Sequence, residues 1–244
     1  MVDVAVVGAG IVGAACADQL TAAGLSVTVL ERGALAGGTT GAGEGNILVS
    51  DKEPGPELSL ALWSRRLWSE LDLPGAHLEP KGGLVVAYTE AELAALGGFA
   101  AAQRPAGVVA EALRPEQAGE AEPYLTRELA GAVWYPQDMQ VQPALATALL
   151  LRRARDRGAA LRLGTPVVGF TRGAGGRITE VRTPDGRIGV STVVNATGVG
   201  AGTVAELAGS RLPIQPRRGF ILVTAPVPPL VRAKVYDAAY VSNV

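Results

Sequence analysis

Three glycines in the spacing G-x-G-x-x-G, Gly8, Gly10 and Gly13, separate an apolar run at 3–7 (DVAVV) from a small, apolar, helix-compatible stretch running from Ile11 to Ala23. The run has the length and β-branched content of a buried strand. The glycines therefore sit on a strand-to-helix turn, which commits the start of the chain to a β-α-β crossover. Each has a physical task there: the first permits the tight bend, the second lets a pyrophosphate lie against the backbone, and the third lets helix and strand pack closely. Beyond Gly10 the amides of Ile11 and Val12 add donors with no partner inside the helix, and partial positive charge. A second apolar run, VTVL, ends at Glu31, 18 residues past Gly13. A carboxylate at that strand tip can accept hydrogen bonds from both hydroxyls of an adenosine ribose and repels a 2′-phosphate. In a chain holding 32 glycines the glycine pattern alone is weak. Strand, turn, helix, strand and acid in the required order make it a dinucleotide site that suits FAD or NAD better than NADP.

The 244 residues suffice for one large domain or two modest ones, and 48% hydrophobic with 18% charged residues supports a buried core. The net charge of −1, with both signs interspersed, gives no nucleic-acid footprint and no anionic-membrane anchor. The N-terminal apolar run is too short for a signal peptide or a span, so no membrane span is expected and the expected compartment is cytoplasmic. One cysteine, Cys16, excludes an internal disulfide and a cysteine-held metal or iron–sulfur site, and no metal is expected. Cys16 reads as a packing residue. The single histidine, His77, lies in the loop-like LPGAHLEP and reads as solvated or structural.

Further along, GALAGGTTGAGEGN at 33–46 lacks hydrophobic periodicity and reads as a loop. From Leu58 the pattern sets Leu60, Trp63, Leu67, Trp68 and Leu71 on one helical face, which predicts both tryptophans in a core. Residues 82–89 and 131–136 read as strands, 90–103 and RPEQAGEAEP as helices. Gln142 and Pro143 open a helix to about Arg157. The texture then changes to short strands, with turns at Gly175-Gly176 and Asp185-Gly186, predicting a three-stranded meander that ends in TVVNA. That strand feeds the glycine turn ATGVGAG at 196–202, a second close approach of backbone to cofactor. IQPRRGFILVTAP predicts one more strand after Arg217 and Arg218.

VVGAGIVG with LER at 30–32, GGTTGAGEGN, the helix followed by a meander around TPVVGF, VVNATG at 193–198 and QPRRGFILV at 215–223 together resemble the FAD-dependent amine and D-amino-acid oxidoreductases. That family includes glycine oxidase, monomeric sarcosine oxidase and the flavin subunits of opine and hydroxyproline dehydrogenases. The resemblance spans essentially the whole chain. It implies that Gly8, Gly10 and Gly13 hold the pyrophosphate, Glu31 the ribose, and that Arg32 lies near the adenine. Thr39 and Thr40 match a hydroxyl pair at the cofactor phosphates, and Gly43, Gly45 and Asn46 a stretch beside the flavin ring. Val167 matches a residue whose backbone brackets the adenine, while Ala196 and Gly198 match the turn beneath the cofactor. Cys16 and His77 stand in the wrong places for covalent attachment, so the FAD is expected to be non-covalent.

The implied fold is α/β, with a Rossmann-like FAD-binding domain from 1–80 and 139–212 that carries the meander. A smaller, mainly antiparallel α+β substrate domain comes from 81–138 and 213–244. The implied activity is oxidation of the α C–H of an amine or amino acid, with a hydride passing to the flavin and the imine hydrolysed by water; the flavin carries the redox chemistry. No catalytic residue is assigned. Relatives of this kind usually continue into a further glycine-rich stretch and an arginine or tyrosine that orients the substrate carboxylate, so a C-terminally truncated version is expected. Tyr236 and Tyr240 fall where substrate-domain strands are expected, with packing their ordinary role. Two rivals stay open: an NAD-dependent dehydrogenase, which requires a continuing parallel sheet, and a non-catalytic FAD-binding scaffold. Oxidase or dehydrogenase, the amine, and partner subunits or a homo-oligomer are also left open, with Glu44 in the glycine loop leaning toward multisubunit dehydrogenases.

Overall fold

The apolar run before the glycine turn forms a strand whose Val4–Val7 portion is buried. The computed structural model describes residues 1–241, so the end of the expected second domain, 242–244, lies outside the described residues. Among these the elements run β1 (Val2–Val7), α1 (Ile11–Ala22), β2 (Val27–Leu30), α2 (Thr39–Ala42), β3 (Asn46–Ile47), α3 (Pro56–Glu70), β4 (Gly83–Ala87), α4 (Glu90–Gln103), β5 (Glu111–Leu113) and α5 (Pro115–Ala121). They continue through β6 (Gly131–Tyr135), β7 (Met139–Gln140), α6 (Pro143–Asp156), β8 (Ala160–Arg162), β9 (Gly169–Arg172), β10 (Ile178–Thr183), β11 (Gly186–Asn195), α7 (Ala201–Leu207), β12 (Lys234–Asp237) and α8 (Ala238–Val241).

The chain divides into two units. The first comprises Met1–Gly45, Leu73–His77 and Gln142–Ile221; the second comprises Asn46–Asp72, Leu78–Val141 and the chain from Leu222 on. In the first, a sheet of order β8-β2-β1-β11-β10-β9 is parallel from β8 to β11 and antiparallel from β11 to β9. The meander is as expected from the sequence. The run before it splits in two, because β8 joins β2 in the parallel part. Thr183 pairs with Gly186, so Pro184 and Asp185 are the two loop residues of that hairpin, one position earlier than Asp185-Gly186 suggests.

Helix α1 is made of small residues and lies against α6. Its Asp18 is completely buried, which its place among alanines gives no reason to expect. The carboxylate accepts from Arg157 Nη1 at 2.6 Å and lies 3.1 Å from Arg153 Nε, Arg153 standing in the last turn of α6 and Arg157 directly after it. Removing the carboxylate ends two charge-assisted bonds to guanidinium groups that are themselves 30% and 36% exposed, bonds that contribute roughly 1.5–3 kcal/mol each. Asp18→Ala is therefore expected to cost about 3 kcal/mol of stability, read as a lower urea midpoint. A midpoint within error of the parent would show that the two arginines find water instead.

In the second unit a sheet of order β12-β4-β6-β5 buries both faces of β4. Alternation assigns the sides: Val85 and Ala87 pack with Leu58, Leu96, Val133 and Tyr135, and Leu84 and Val86 with Ala118 and Ala132. Thr89 and Glu92 cap α4 reciprocally, the hydroxyl accepting from Glu92 N at 3.2 Å and the carboxylate from Thr89 N at 3.0 Å.

Three sequence expectations fail here. The buried side of α3 is Leu58 with Ala61 and Leu62 packed beside it, whereas Leu60 and Leu67 are exposed, Trp63 is 60% exposed and Trp68 half-buried. Apolar residues at 58, 60, 61, 62 and 63 point all round the helix, so periodicity could not select a side. The 33–46 loop contains the single turn α2 and ends in β3. The strand expected after Arg218 is absent: among the described residues no regular element lies between α7 and β12, and Phe220 and Leu222 are 87% and 94% exposed. Strand-like composition needs a neighbouring strand to pair with, and among the described residues none pairs with this segment.

Candidate active site

Because β1, β2 and β11 run parallel, the residues that follow them emerge side by side at one edge of the sheet of the first unit. Pairing continues one step past the strands: Gly8 N donates to Leu30 O at 2.8 Å and Ala196 N to Val7 O at 2.8 Å. Gly8, Glu31 and Ala196 thus share the carboxyl end of a parallel sheet, where open α/β folds bind ligands.

The glycines are required by the packing. Gly8 has φ +107°, and a Cβ on it would run into the Ala196 carbonyl. A Cβ on Gly13 would overlap the carbonyl of Gly8, and one on Gly10 would come within 3.0 Å of Thr40 Oγ1. That hydroxyl accepts from Ile11 N at 3.1 Å and keeps its own hydrogen to donate. Ala36 N donates to Ala9 O at 3.1 Å, tying the threonine loop to the glycine turn.

Glu31 is half-buried and doubly held: Oε2 accepts from Ala9 N at 2.9 Å and Oε1 from Gly33 N at 2.8 Å. Each oxygen retains acceptor capacity. Its main chain joins a further segment, with Glu31 N donating to Arg162 O at 2.9 Å and Thr165 N to Glu31 O at 2.8 Å. Val167, two residues on, packs half-buried against Ala5, Leu30, Val181 and Val190.

Hydrogen bonds or close packing thus link Gly8, Gly10, Ile11, Gly13, Glu31, Thr40 and Ala196, with Val167 alongside. Val12, Arg32, Thr39, Gly43 and Gly198 are exposed around them, and Gly45, at φ +75°, is half-buried. Gly198, with φ +55°, opens a short 3-10 turn before α7. Asn46 is the first residue of the second unit and lies in β3. Cys16 is half-buried, and burial pushes its thiol pKa up. His77 is exposed with φ +51°.

Sequence reasoning missed a buried polar cluster in the second unit. Asp138, fully buried, accepts from Ser50 Oγ at 2.5 Å and from Tyr236 OH at 2.7 Å. Tyr236 is thereby engaged within the cluster, and Tyr240 stacks edge-on against it, the ring centroids 6.3 Å apart. Burial, and then the Asp138 charge, raises the Tyr236 phenol. The same two causes raise Tyr135, whose buried hydroxyl has no hydrogen-bond partner among the described residues. Nothing in PQDMQ at 136–140 sets Asp138 apart from an ordinary turn acid.

A glycine turn at a helix start, a carboxylate on the neighbouring parallel strand and a second turn beside them define a dinucleotide-binding protein. The family described as FAD dependent oxidoreductase matches residues 3–243, and the chain belongs to it. One subunit of the anaerobic glycerol-3-phosphate dehydrogenase of Escherichia coli K12 is 31% identical over 234 residues, 91% of this chain and 42% of that protein. Glycine oxidase of Geobacillus kaustophilus is 32% identical over 237 residues, 93% of this chain and 62% of that protein. The crystal structure of L-proline dehydrogenase from P. horikoshii superposes with a TM-score of 0.85 at 27% identity, covering 98% of this chain and 65% of the other. The chain thus spans about half the length of the curated relatives it matches. FAD is the cofactor of the family, and the residues fit it: side chains would fill the cradle at Gly8, Gly10 and Gly13, and a carboxylate stands at the neighbouring strand tip. Among the described residues no helix is long and apolar enough to cross a membrane.

Proposed function

We propose that the first unit holds FAD non-covalently across the β1–α1 crossover and that the second contributes the substrate side of an enzyme oxidising a small amine or amino acid. The observation that carries this is the Glu31 carboxylate, anchored to the Ala9 amide of the glycine turn while keeping lone pairs for ribose hydroxyls. Gly8, Gly10, Ile11, Val12 and Gly13 offer main-chain donors and space to the diphosphate, and Thr39 and Thr40 add hydroxyls. Arg32 and Val167 flank the adenine, Gly43, Gly45 and Asn46 run beside the flavin ring, and Ala196 and Gly198 lie beneath the cofactor. FAD, when bound, supplies the acceptor for two electrons. The protein's share is to bind, orient and keep water away.

The likeness to glycine oxidase supports a carbon bearing nitrogen as the site of oxidation. The likeness to one component of a glycerol-3-phosphate dehydrogenase supports a second reading, a carbon bearing a hydroxyl on a phosphorylated polyol. An antiparallel meander that ends in β11 speaks against the NAD alternative, which needs the parallel sheet to go on.

The purified 244-residue chain is expected to show the two visible absorption bands of oxidised flavin after FAD loading and gel filtration. Under anaerobic conditions glycine, sarcosine or D-proline should bleach them. Bleaching by glycerol 3-phosphate alone would select the polyol reading, and flavin that no substrate bleaches would leave a scaffold. A chain that retains no flavin would reject the proposal.

A further inference from the structure

Of the seven residues from Asn46 to Lys52, five have main chain held by a partner distant in sequence. Asn46 and Ile47 pair with Gln140 and Met139, and Gln140 exchanges both main-chain bonds with Glu79, at 2.7 and 2.9 Å. Asp138, adjoining that ladder, accepts from Val49 N at 2.9 Å and Ser50 N at 3.4 Å through Oδ1, and from Ser50 Oγ and Tyr236 OH through Oδ2. From the other side the buried Gln103 donates through Nε2 to Val49 O at 3.0 Å and Lys52 O at 2.7 Å. Residue 83 is glycine where a Cβ would strike the Asp138 carboxylate, so the sheet leaves room for that group.

A buried carboxylate is costly unless its oxygens are satisfied. Here four donors satisfy it, two of them main-chain amides of the segment that directly follows Asn46. A structural turn acid at the surface would need none of this. We infer that Asp138 is a positioning residue for the flavin: within its own unit it fixes the segment that begins at Asn46, and so holds Asn46 in place before FAD binds. The inference rests on the reading of Asn46 as flavin-facing. Ser50 and Tyr236 act through the same carboxylate, Tyr236 tying it to β12.

The test has two readouts. In the apo chain, Asp138→Ala should speed peptide-level hydrogen exchange over 46–52 by about tenfold or more while peptides of β1 and α1 keep the parent rate. In the FAD-loaded chain it should broaden and shift the visible flavin bands. Asp138→Asn keeps one carbonyl acceptor for the two amides and should restore most of both signals. Should Asp138→Ala fail to fold, Ser50→Ala removes one donor and should give a smaller change of the same sign in both. Parent-like exchange over 46–52, or parent-like flavin bands beside faster exchange, overturns the inference. Loss of flavin from the unsubstituted chain overturns the functional reading itself, and is seen before any variant is made.

Discussion

Glu31→Arg is expected to lower FAD affinity by about 100-fold or more, so that the variant emerges from gel filtration colourless. Two effects act together. The ribose loses its acceptor, and hydrogen bonds to a charged group contribute roughly 1.5–3 kcal/mol each, of which two make a factor of about 100. The protein also loses the acceptor for Ala9 N, and Ala9 is completely buried. A buried amide without a partner costs about 1–3 kcal/mol, so the glycine turn loosens before any ligand arrives. Glu31→Gln separates the two effects, because its single carbonyl oxygen serves one of the donors while the charge is gone. Its affinity should lie between those of parent and arginine variant, measured by quenching of FAD fluorescence on titration. Parent-like occupancy in Glu31→Arg would remove Glu31 from the cofactor site and with it the reading of the crossover.

The parts legible in the sequence are those whose reasons are local. Gly8, Gly10, Gly13 and Glu31 could be read because backbone clearance and strand length fix their spacing within one β-α-β unit. The structure adds the reason for their conjunction, the bond from Ala9 N to Glu31. The helices at 90–103 and 143–156 were legible because a reciprocal cap and a first-turn proline announce them. Asp18 and Asp138 were not. Each is a lone acid whose partners lie far away in sequence, Arg157 at a separation of 139 residues and Val49 at 89. No short window contains such a pair, and composition treats both as surface charges.

The failures on α3 and after Arg218 share a cause. On α3 the apolar residues were expected in a core and after Arg218 a strand was expected, in both cases from composition, yet what a helix buries and whether a strand forms are decided by the surface it meets. Trp63 is left 60% exposed, while Leu58 lies in the core with Val85. Phe220 and Leu222 have strand-forming composition, and among the described residues no strand pairs with their segment.

Gly13→Ala should be the more damaging of two substitutions that look alike on paper. Both Gly13, in α1, and Gly97, in α4, stand within helices, where alanine is favoured over glycine by about 1 kcal/mol. At Gly97 a Cβ meets nothing within 4 Å, so Gly97→Ala should stabilise the chain by roughly 0.5–1 kcal/mol. At Gly13 the added carbon overlaps the Gly8 carbonyl and comes within 3.4 Å of Ala196 Cβ. The oxygen it meets is main chain, on the residue that directly follows β1, and cannot swing aside as a side chain would. Either α1 lifts from β1 or the Gly8 peptide turns, and both movements displace the Ile11 and Val12 amides from the place where a diphosphate would meet them. Overpacking of this kind costs about 3 kcal/mol, which exceeds the helix-propensity gain. Urea unfolding of the two variants should therefore give midpoint shifts of opposite sign, with FAD retained by Gly97→Ala and lost by Gly13→Ala. Equal shifts would mean that α1 stands farther from β1 than the close approach of Gly13 to Gly8 requires.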